Sequence, residues 1–178
     1  RYSTSKRQLE SRIATLFGGR VAEELVFGAD AVTTGASNDI ERATELARNM
    51  VTRWGLSDRL GPQTYSEESG EVFLGRSVTQ HKQVSDVTAH VIDEEVRRVI
   101  DSNYQRAYKI LQTNMDKLQA MSEALIKYET IDEDQIKDIM EGRVPRPPRD
   151  WDDTPTPTPR GPSAEKPAPP LVNPAGQH

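Results

Sequence analysis

The segment of this sequence best suited to chemistry is a run of small and polar residues at 33–40, Thr-Thr-Gly-Ala-Ser-Asn-Asp-Ile. Its composition predicts a loop that leads directly into a helix. Ser37 and Asn38 are residue types that cap helices, and Asp39 would lie in the first turn, where the helix dipole favours a carboxylate. The residues alone therefore favour a structural role for Asp39. A carboxylate in this position can also bind a metal ion, provided that other ligands lie near it.

The histidines do not supply such ligands. They are His81, His90 and His178, and none is paired with another at the spacing of metal ligands on one helix. We expect ordinary solvated or structural roles for all three. The sequence also lacks His-Glu-x-x-His, Gly-x-Ser-x-Gly and a phosphate-binding glycine loop followed by lysine. It has no cysteine, which excludes disulfides, thiolate nucleophiles and thiolate metal sites. No complete catalytic site and no cofactor-binding site is predicted.

Two pairs of adjacent residues precede the loop. Gly18 and Gly19 fall inside a predicted helix, where each costs roughly 1 kcal/mol relative to alanine. They predict a kink, a break between two shorter helices, or the close approach of a further helix. Glu23 and Glu24 could act as an acid pair, but adjacent helical positions point in different directions. We expect a surface or structural role for both glutamates.

The elements that must position these residues are helices. Apolar residues recur at spacings of three and four in five segments, the fourth of which opens near Asn114. The segments are 5–27, 38–54, 84–112, 114–126 and 132–140. Asp132 and Gln135 predict a capping box at the start of the last helix. Residues 56–82 lack a long period and predict a loop, in which a small hairpin would fit. The sequence therefore predicts an all-α fold of about five helices with one long loop.

Composition narrows the functional classes. The chain has 178 residues, enough for one domain and a tail, and a net charge of −5 with acidic and basic residues interspersed. That pattern excludes a basic nucleic-acid-binding surface. No apolar run approaches the roughly 20 residues that span a bilayer. The first residue is Arg1 rather than methionine, so we expect a processed or partial chain.

A change of composition marks the C-terminal region. Eleven of the twelve prolines lie between Pro145 and Pro174. Proline removes backbone donors and fixes φ, so this region cannot continue a helix. Its few large apolar groups are too few to offset the entropy of ordering it. We expect a domain over 1–143 and a disordered tail over 144–178, whose proline repeats either bind a partner or serve as a flexible terminus.

Several motifs together resemble the peptidase domain of the FtsH family of ATP-dependent zinc metalloproteases, most of all its proteobacterial branch. The resemblance covers about 5–150, and its motifs occur in the family's order. They are Gly-Gly-Arg-Val-Ala-Glu-Glu at 18–24, Thr-Gly-Ala-Ser-Asn-Asp-Ile at 34–40, Ala-Arg-Asn-Met-Val at 47–51, Trp-Gly-Leu-Ser-Asp at 54–58, Leu-Gly-Pro at 60–62, Phe-Leu-Gly-Arg at 73–76, Ser-Asp and Thr-Ala at 85–89, and Tyr-Glu-Thr-Ile-Asp at 128–132.

The resemblance implies a zinc site of which Asp39 is the acidic ligand. In the family, two histidines of a His-Glu-x-x-His helix are the other protein ligands, and the glutamate of that motif activates a zinc-bound water. That motif would lie N-terminal to Arg1, and its helix would pack near Gly18 and Gly19. Asn38 would either hold the loop or contact one of the zinc ligands from behind. On this view the chain alone would be inactive.

The resemblance further implies a parent protein with an ATPase module that binds ATP and Mg²⁺. It would act on protein substrates as a homohexamer, attached to the inner membrane through segments outside this sequence, with this domain on the cytoplasmic side. No nucleic-acid partner is implied. A second hypothesis stays open, in which the chain is a non-catalytic helical oligomerisation module of the protease ring.

Overall fold

A computed structural model of the chain describes residues 3–65, 84–149 and Trp151. The described residues form six α-helices and two short 3₁₀ turns and contain no strand, which confirms the predicted all-α class. The helices are α1 (Lys6–Leu16), α2 (Gly18–Phe27), α3 (Ser37–Thr52), α4 (Asp86–Thr113), α5 (Met115–Tyr128) and α6 (Glu133–Met140). Most of the predicted long loop lies at 66–83, outside the described residues, and so does the suggested hairpin.

The first predicted helix is two helices in the structure. α1 begins at a capping box in which Ser5 Oγ accepts from the backbone N–H of Gln8 and the Ser5 N–H donates to Gln8 Oε1. It ends at Phe17, which is also the residue before α2. Of the explanations offered for Gly18 and Gly19, the break between two shorter helices is therefore the observed one. α2 ends at Gly28, whose φ of 86° suits glycine.

The first hydrophobic core lies between α1, α2, α3 and α4. α4 packs against each of the other three, and α1 also packs against α3. The fully buried side chains of this core include Ile13, Val21, Met50 and Val51. Each contributes roughly 2 kcal/mol through removal of its apolar surface from water. This core fixes α2 and α3, the two helices that flank the 33–40 segment.

The turn after α3 is fixed to α4 by a buried carboxylate. Glu95 on α4 is 1% exposed and accepts a hydrogen bond from Ser57 Oγ at 2.9 Å. Arg98 donates to the same carboxylate from Nε and Nη2, at 3.2 and 2.9 Å. These hydrogen bonds, that from Arg98 first, lower the pKa of Glu95 below its ordinary value against the opposing effect of burial. Glu95 is thus a paired, ionised group that anchors the 54–60 turn.

A second, smaller core is formed by α5 and α6. Ala124, Tyr128 and Ile139 are buried there. The predicted capping box at the start of α6 is confirmed, with Gln135 N donating to Asp132 Oδ1 at 2.9 Å and Asp132 N donating to Gln135 Oε1 at 3.0 Å. These two helices contact the first core only weakly, through the junction of α4 and α5.

The chain continues along this second core past the expected start of the tail. Asp138 on α6 is buried and accepts hydrogen bonds from Arg143 and from the backbone and guanidinium of Arg146. The Trp151 ring meets the Tyr128 ring edge to face, with 5.0 Å between centroids. The sequence predicts disorder for residues 144–149, but in the structure they lie against α6. They are held there because Arg143 and Arg146 donate hydrogen bonds to the buried carboxylate of Asp138. The remainder, 152–178, lies outside the described residues.

Candidate metal centre

Asp39 lies in the first turn of α3 and is half-buried. The helix begins differently from the prediction. Its N-cap is Ala36, with no side-chain capping bond, so the prediction that Ser37 or Asn38 caps the helix is wrong. The 3₁₀ turn Thr34–Ala36 runs directly into α3, and Ser37 already has helical φ and ψ of −57° and −43°. The N-cap of α3 therefore lies one residue before Ser37, the first of the two predicted capping residues.

The loop before α3 is held by Glu23. Thr33 donates its backbone N–H to Glu23 Oε2 at 3.0 Å and its hydroxyl to Glu23 Oε1 at 3.0 Å. These two bonds, the backbone one first, lower the pKa of Glu23 below its ordinary value. Thr33 Oγ1 in turn accepts from the N–H of Gly35 at 3.2 Å, which starts the 3₁₀ turn. Glu23 therefore has a structural role, as expected, but one directed at the loop that carries Asp39.

Glu24 points the other way, as neighbours on a helix must. It accepts a hydrogen bond from the Tyr104 hydroxyl on α4. The Tyr104 ring also meets Phe17 edge to face, with 5.3 Å between centroids. These contacts fix α2 against α4. Glu24 thus joins α2 to α4, and Glu23 joins α2 to the 33–40 segment.

Gly18 and Gly19 face open space. A Cβ atom built on either glycine would meet no atom within 4 Å among the described residues. A cleft of about 330 Å³ between α1 and α4 reaches Gly18 and is lined mainly by small or apolar side chains, among them Ala14, Ala107 and Ile110. The close approach of a further helix, which the glycine pair also predicted, stays a prediction.

The donor set around Asp39 permits a test of its fitness for zinc. Oxygen of a carboxylate is an accepted zinc ligand, and no hydrogen bond or ion pair within the described ranges occupies the Asp39 carboxylate. No group of three or more His, Asp or Glu that could hold a metal ion occurs among the described residues. The chemistry of Asp39 is therefore compatible with one zinc ligand, and the other ligands of such a site would have to come from outside the described residues.

Among the described residues, no other sequence candidate joins Asp39 in a group of three or more that could hold a metal ion. His90 is exposed on α4, and its Nε2 lies 3.2 Å from Glu94 Oε1, one turn along the same helix. His81 and His178 lie outside the described residues. Asn38 is exposed, and no hydrogen bond of its side chain occurs in the described part of the chain. The loop is held instead by Glu23, ten residues from Thr33, a pairing for which the sequence offers no local signal.

Comparison with known proteins defines the class. The profile of Peptidase family M41 matches residues 1–139. The chain is 61% identical over 149 residues to the ATP-dependent zinc metalloprotease FtsH of Buchnera aphidicola subsp. Schizaphis graminum, covering 84% of this chain and 24% of that protein. It is 57% identical over 155 residues to the protein of that name from Photobacterium profundum, covering 86% of this chain and 22% of the relative.

A more distant relative is FtsH of Caulobacter vibrioides, 48% identical over 146 residues, which cover 82% of this chain and 23% of the relative. The chain thus spans about a quarter of the length of these relatives. The fold and the matched residues define a piece of a zinc metallopeptidase domain. The chain belongs to Peptidase family M41, as a peptidase-domain part of the FtsH-type ATP-dependent zinc metalloproteases.

Proposed function

We propose that this chain is part of an ATP-dependent zinc metalloendopeptidase that degrades membrane and cytoplasmic proteins, and that Asp39 is its acidic zinc ligand. The observation that carries the proposal is the position and the free state of the Asp39 carboxylate within the described residues. It lies in the first turn of a helix, unoccupied by hydrogen bonds within the described ranges, on a loop anchored from α2.

The remaining ligands are assigned to a His-Glu-x-x-His helix that these 178 residues do not contain. The cleft beside Gly18 supports its placement there, because small residues leave room for a neighbouring helix. Bound zinc would activate a water for attack on a peptide bond, and the glutamate of that motif would be the general base. This chain alone is then expected neither to retain zinc nor to hydrolyse casein. Stoichiometric zinc in the purified chain would contradict that expectation.

The rest of the assembly is proposed with it. The parent protein would carry an ATPase module that binds ATP and Mg²⁺, and it would form a homohexamer that acts on protein substrates at the inner membrane. Residues 1–143 would be part of its peptidase domain, on the cytoplasmic side of that membrane. Residues 144–178 would be largely a disordered tail. None of the described helices has both the length and the apolar character needed to cross a membrane. The membrane attachment would therefore reside in other segments of the parent protein.

A non-catalytic oligomerisation module is the second candidate. Ile126 is 81% exposed and Met140 is 51% exposed on the second core, an arrangement that suits contact with another subunit. The two functions are compatible within one protein. The sequence of the complete gene would distinguish the two functions. Only the gene of a proteolytic parent would encode His-Glu-x-x-His and an ATPase upstream of Arg1.

The deciding experiment is Asp39→Asn in the full-length protein. The variant should lose zinc affinity and casein hydrolysis while its ATP hydrolysis continues at nearly the wild-type rate. Bound zinc is measured by competition with a coloured chelator, and ATP hydrolysis serves as the control for folding. Wild-type proteolysis by this variant would remove Asp39 from the ligand set.

A further inference from the structure

We propose that Glu23 is the residue that positions Asp39 for metal binding, and that it acts through Thr33. The inference rests on the proposed function, in which Asp39 is a zinc ligand. In this arrangement Glu23 does not touch the metal. It fixes the start of α3, and the direction of the Asp39 side chain follows from that start.

The first link consists of the hydrogen bonds between Glu23 and Thr33 in the loop. Thr33 offers two donors to the Glu23 carboxylate: its backbone N–H lies 3.0 Å from Oε2, and its hydroxyl lies 3.0 Å from Oε1 and 3.2 Å from Oε2. A single bond would let the loop pivot, whereas two bonds to one carboxylate fix its orientation as well as its position. Both oxygens of Glu23 are engaged in this way, which leaves the carboxylate poorly placed to bind a metal.

The second link runs from Thr33 to the helix. The Thr33 hydroxyl oxygen accepts from the Gly35 N–H at 3.2 Å, and the Ser37 N–H closes the turn onto the Thr34 carbonyl. A Cβ atom on Gly35 would lie 3.3 Å from Thr33 Oγ1 and 3.8 Å from Glu23 Oε1. Glycine at this position therefore leaves space for the hydrogen bond between the Thr33 hydroxyl and the Glu23 carboxylate. α3 begins at Ser37, and Asp39 follows in the same turn.

The third link is the fixed position of α2. Val21 is fully buried in the first core, and Glu24 accepts from Tyr104 on α4. Glu23 therefore holds the loop from a helix that is packed against the first core and bonded to α4. Asn38, for which the resemblance implied a hold on the loop or a contact to a ligand, is exposed and makes no side-chain hydrogen bond within the described ranges.

The test uses the full-length protease with Glu23→Gln, Thr33→Val, Thr33→Ser and Asp39→Asn, and Glu45→Gln as the matched control. Glu45 is an exposed glutamate on α3, so that variant removes the same charge nearby without touching the loop. Zinc affinity is measured by chelator competition. The visible spectrum of the Co²⁺-loaded protein reports the ligand set, and thermal melting reports folding.

Glu23→Gln and Thr33→Val should each weaken zinc binding by roughly tenfold, as expected for groups that orient a ligand. Their Co²⁺ spectra should keep the wild-type band shape because the ligands are unchanged. Thr33→Ser should restore the affinity, since it keeps both donors, and Glu45→Gln should bind zinc normally. Thr33→Val retains the carboxylate and the backbone bond, so it tests the proposal even if Glu23→Gln fails to fold.

Two outcomes separate failure of this inference from failure of the proposed function. If Asp39→Asn loses zinc while Glu23→Gln and Thr33→Val bind it normally, Glu23 is not a positioning residue and the zinc site stands. If Asp39→Asn binds zinc normally and Glu23→Gln changes the Co²⁺ spectrum, Glu23 itself is the ligand. That second result would overturn both assignments.

Discussion

Tyr104 on α4 donates its hydroxyl hydrogen to the carboxylate of Glu24 on α2, beside the edge-to-face contact between its ring and Phe17. Burial, and then the bond to Glu24, raise the pKa of Tyr104 above its ordinary value. The hydroxyl therefore stays protonated at neutral pH and remains a donor. This bond fixes the helix from which Glu23 reaches the candidate metal centre.

Replacing Tyr104 with phenylalanine should lower the free energy of unfolding by about 2 kcal/mol, because the ring contact survives and one hydrogen bond to a charged acceptor is lost. Urea denaturation followed by circular dichroism measures the change. Tyr108→Phe is the control, since Tyr108 lies on the same helix, is half-buried and makes no hydroxyl bond within the described ranges. Equal losses in the two variants would show that the Glu24 bond contributes nothing.

Glu95→Gln should destabilise the chain by about 2 kcal/mol, since the buried Glu95 side chain loses the charge that accepts from the half-exposed Arg98 guanidinium. Asp93→Asn is a suitable control, because Asp93 on the same helix is exposed and lies 3.9 Å from its partner Arg48. Equilibrium unfolding in urea at neutral pH gives both values. A cost for Glu95→Gln no larger than that of the control would contradict the assignment.

The same carboxylate predicts a pH dependence. The pKa of Glu95 is lower in the folded chain than its ordinary value of 4.5, so the folded state binds fewer protons in the acid range than the unfolded state. Its stabilising contribution is present above pH 4.5 and is lost as the pH falls through the folded-state pKa. The difference in unfolding free energy between wild type and Glu95→Gln should therefore shrink below pH 4.5. A constant difference across that range would show that the charge of Glu95 is immaterial.

Gly55→Ala and Gly61→Ala form a matched pair. Both glycines have positive φ, 60° and 74°, so alanine costs roughly 1 kcal/mol of backbone strain at either position. At Gly55 the new Cβ would also lie 2.9 Å from the Pro62 Cα, whereas at Gly61 it would meet nothing within 4 Å. Gly55→Ala should therefore be the more destabilising by at least about 1 kcal/mol in urea denaturation. Equal midpoints would mean that the backbone at Pro62 shifts freely.

Asp138→Asn should release residues 143–149 from α6, because the two arginines would lose their shared buried carboxylate, whose pKa they hold well below its ordinary value. Hydrogen exchange should quicken in α5 and α6 and remain slow in α1–α4. Asp134→Asn is the control, since its ion pair with Arg149 is more exposed. Unchanged exchange in α6 would contradict a clamping role for Asp138.

Features set by local sequence were predictable here. The capping box of Asp132 and Gln135 depends on residues three positions apart, and it forms as predicted. The apolar spacing likewise predicted the all-α class and the location of the helical segments, although not the division of the first segment into two helices. Periodicity alone could not decide between a kink and a break at Gly18, since both keep the same apolar face.

Features that depend on contacts between distant segments were not predictable. Glu23 and Thr33 are ten residues apart, and neither carries a pattern that indicates the other. Arg146 orders the chain beyond α6 by reaching back eight residues to Asp138, against a local composition that favours disorder. The position of the α3 N-cap at Ala36 followed from a 3₁₀ turn that the small residues of the loop permit but do not specify.

The bond between Tyr104 and Glu24 also bears on the order in which the chain folds. It joins residues 80 positions apart, whereas α5 and α6 are separated by only the segment 129–132. Closing the larger loop costs more chain entropy, and contacts between near neighbours form faster. We expect α5 and α6 to pair early and α2 to dock on α4 late. The surroundings of Asp39 would then be completed near the end of folding, so that a metal ion would meet this proposed acidic ligand only in a chain that is almost native.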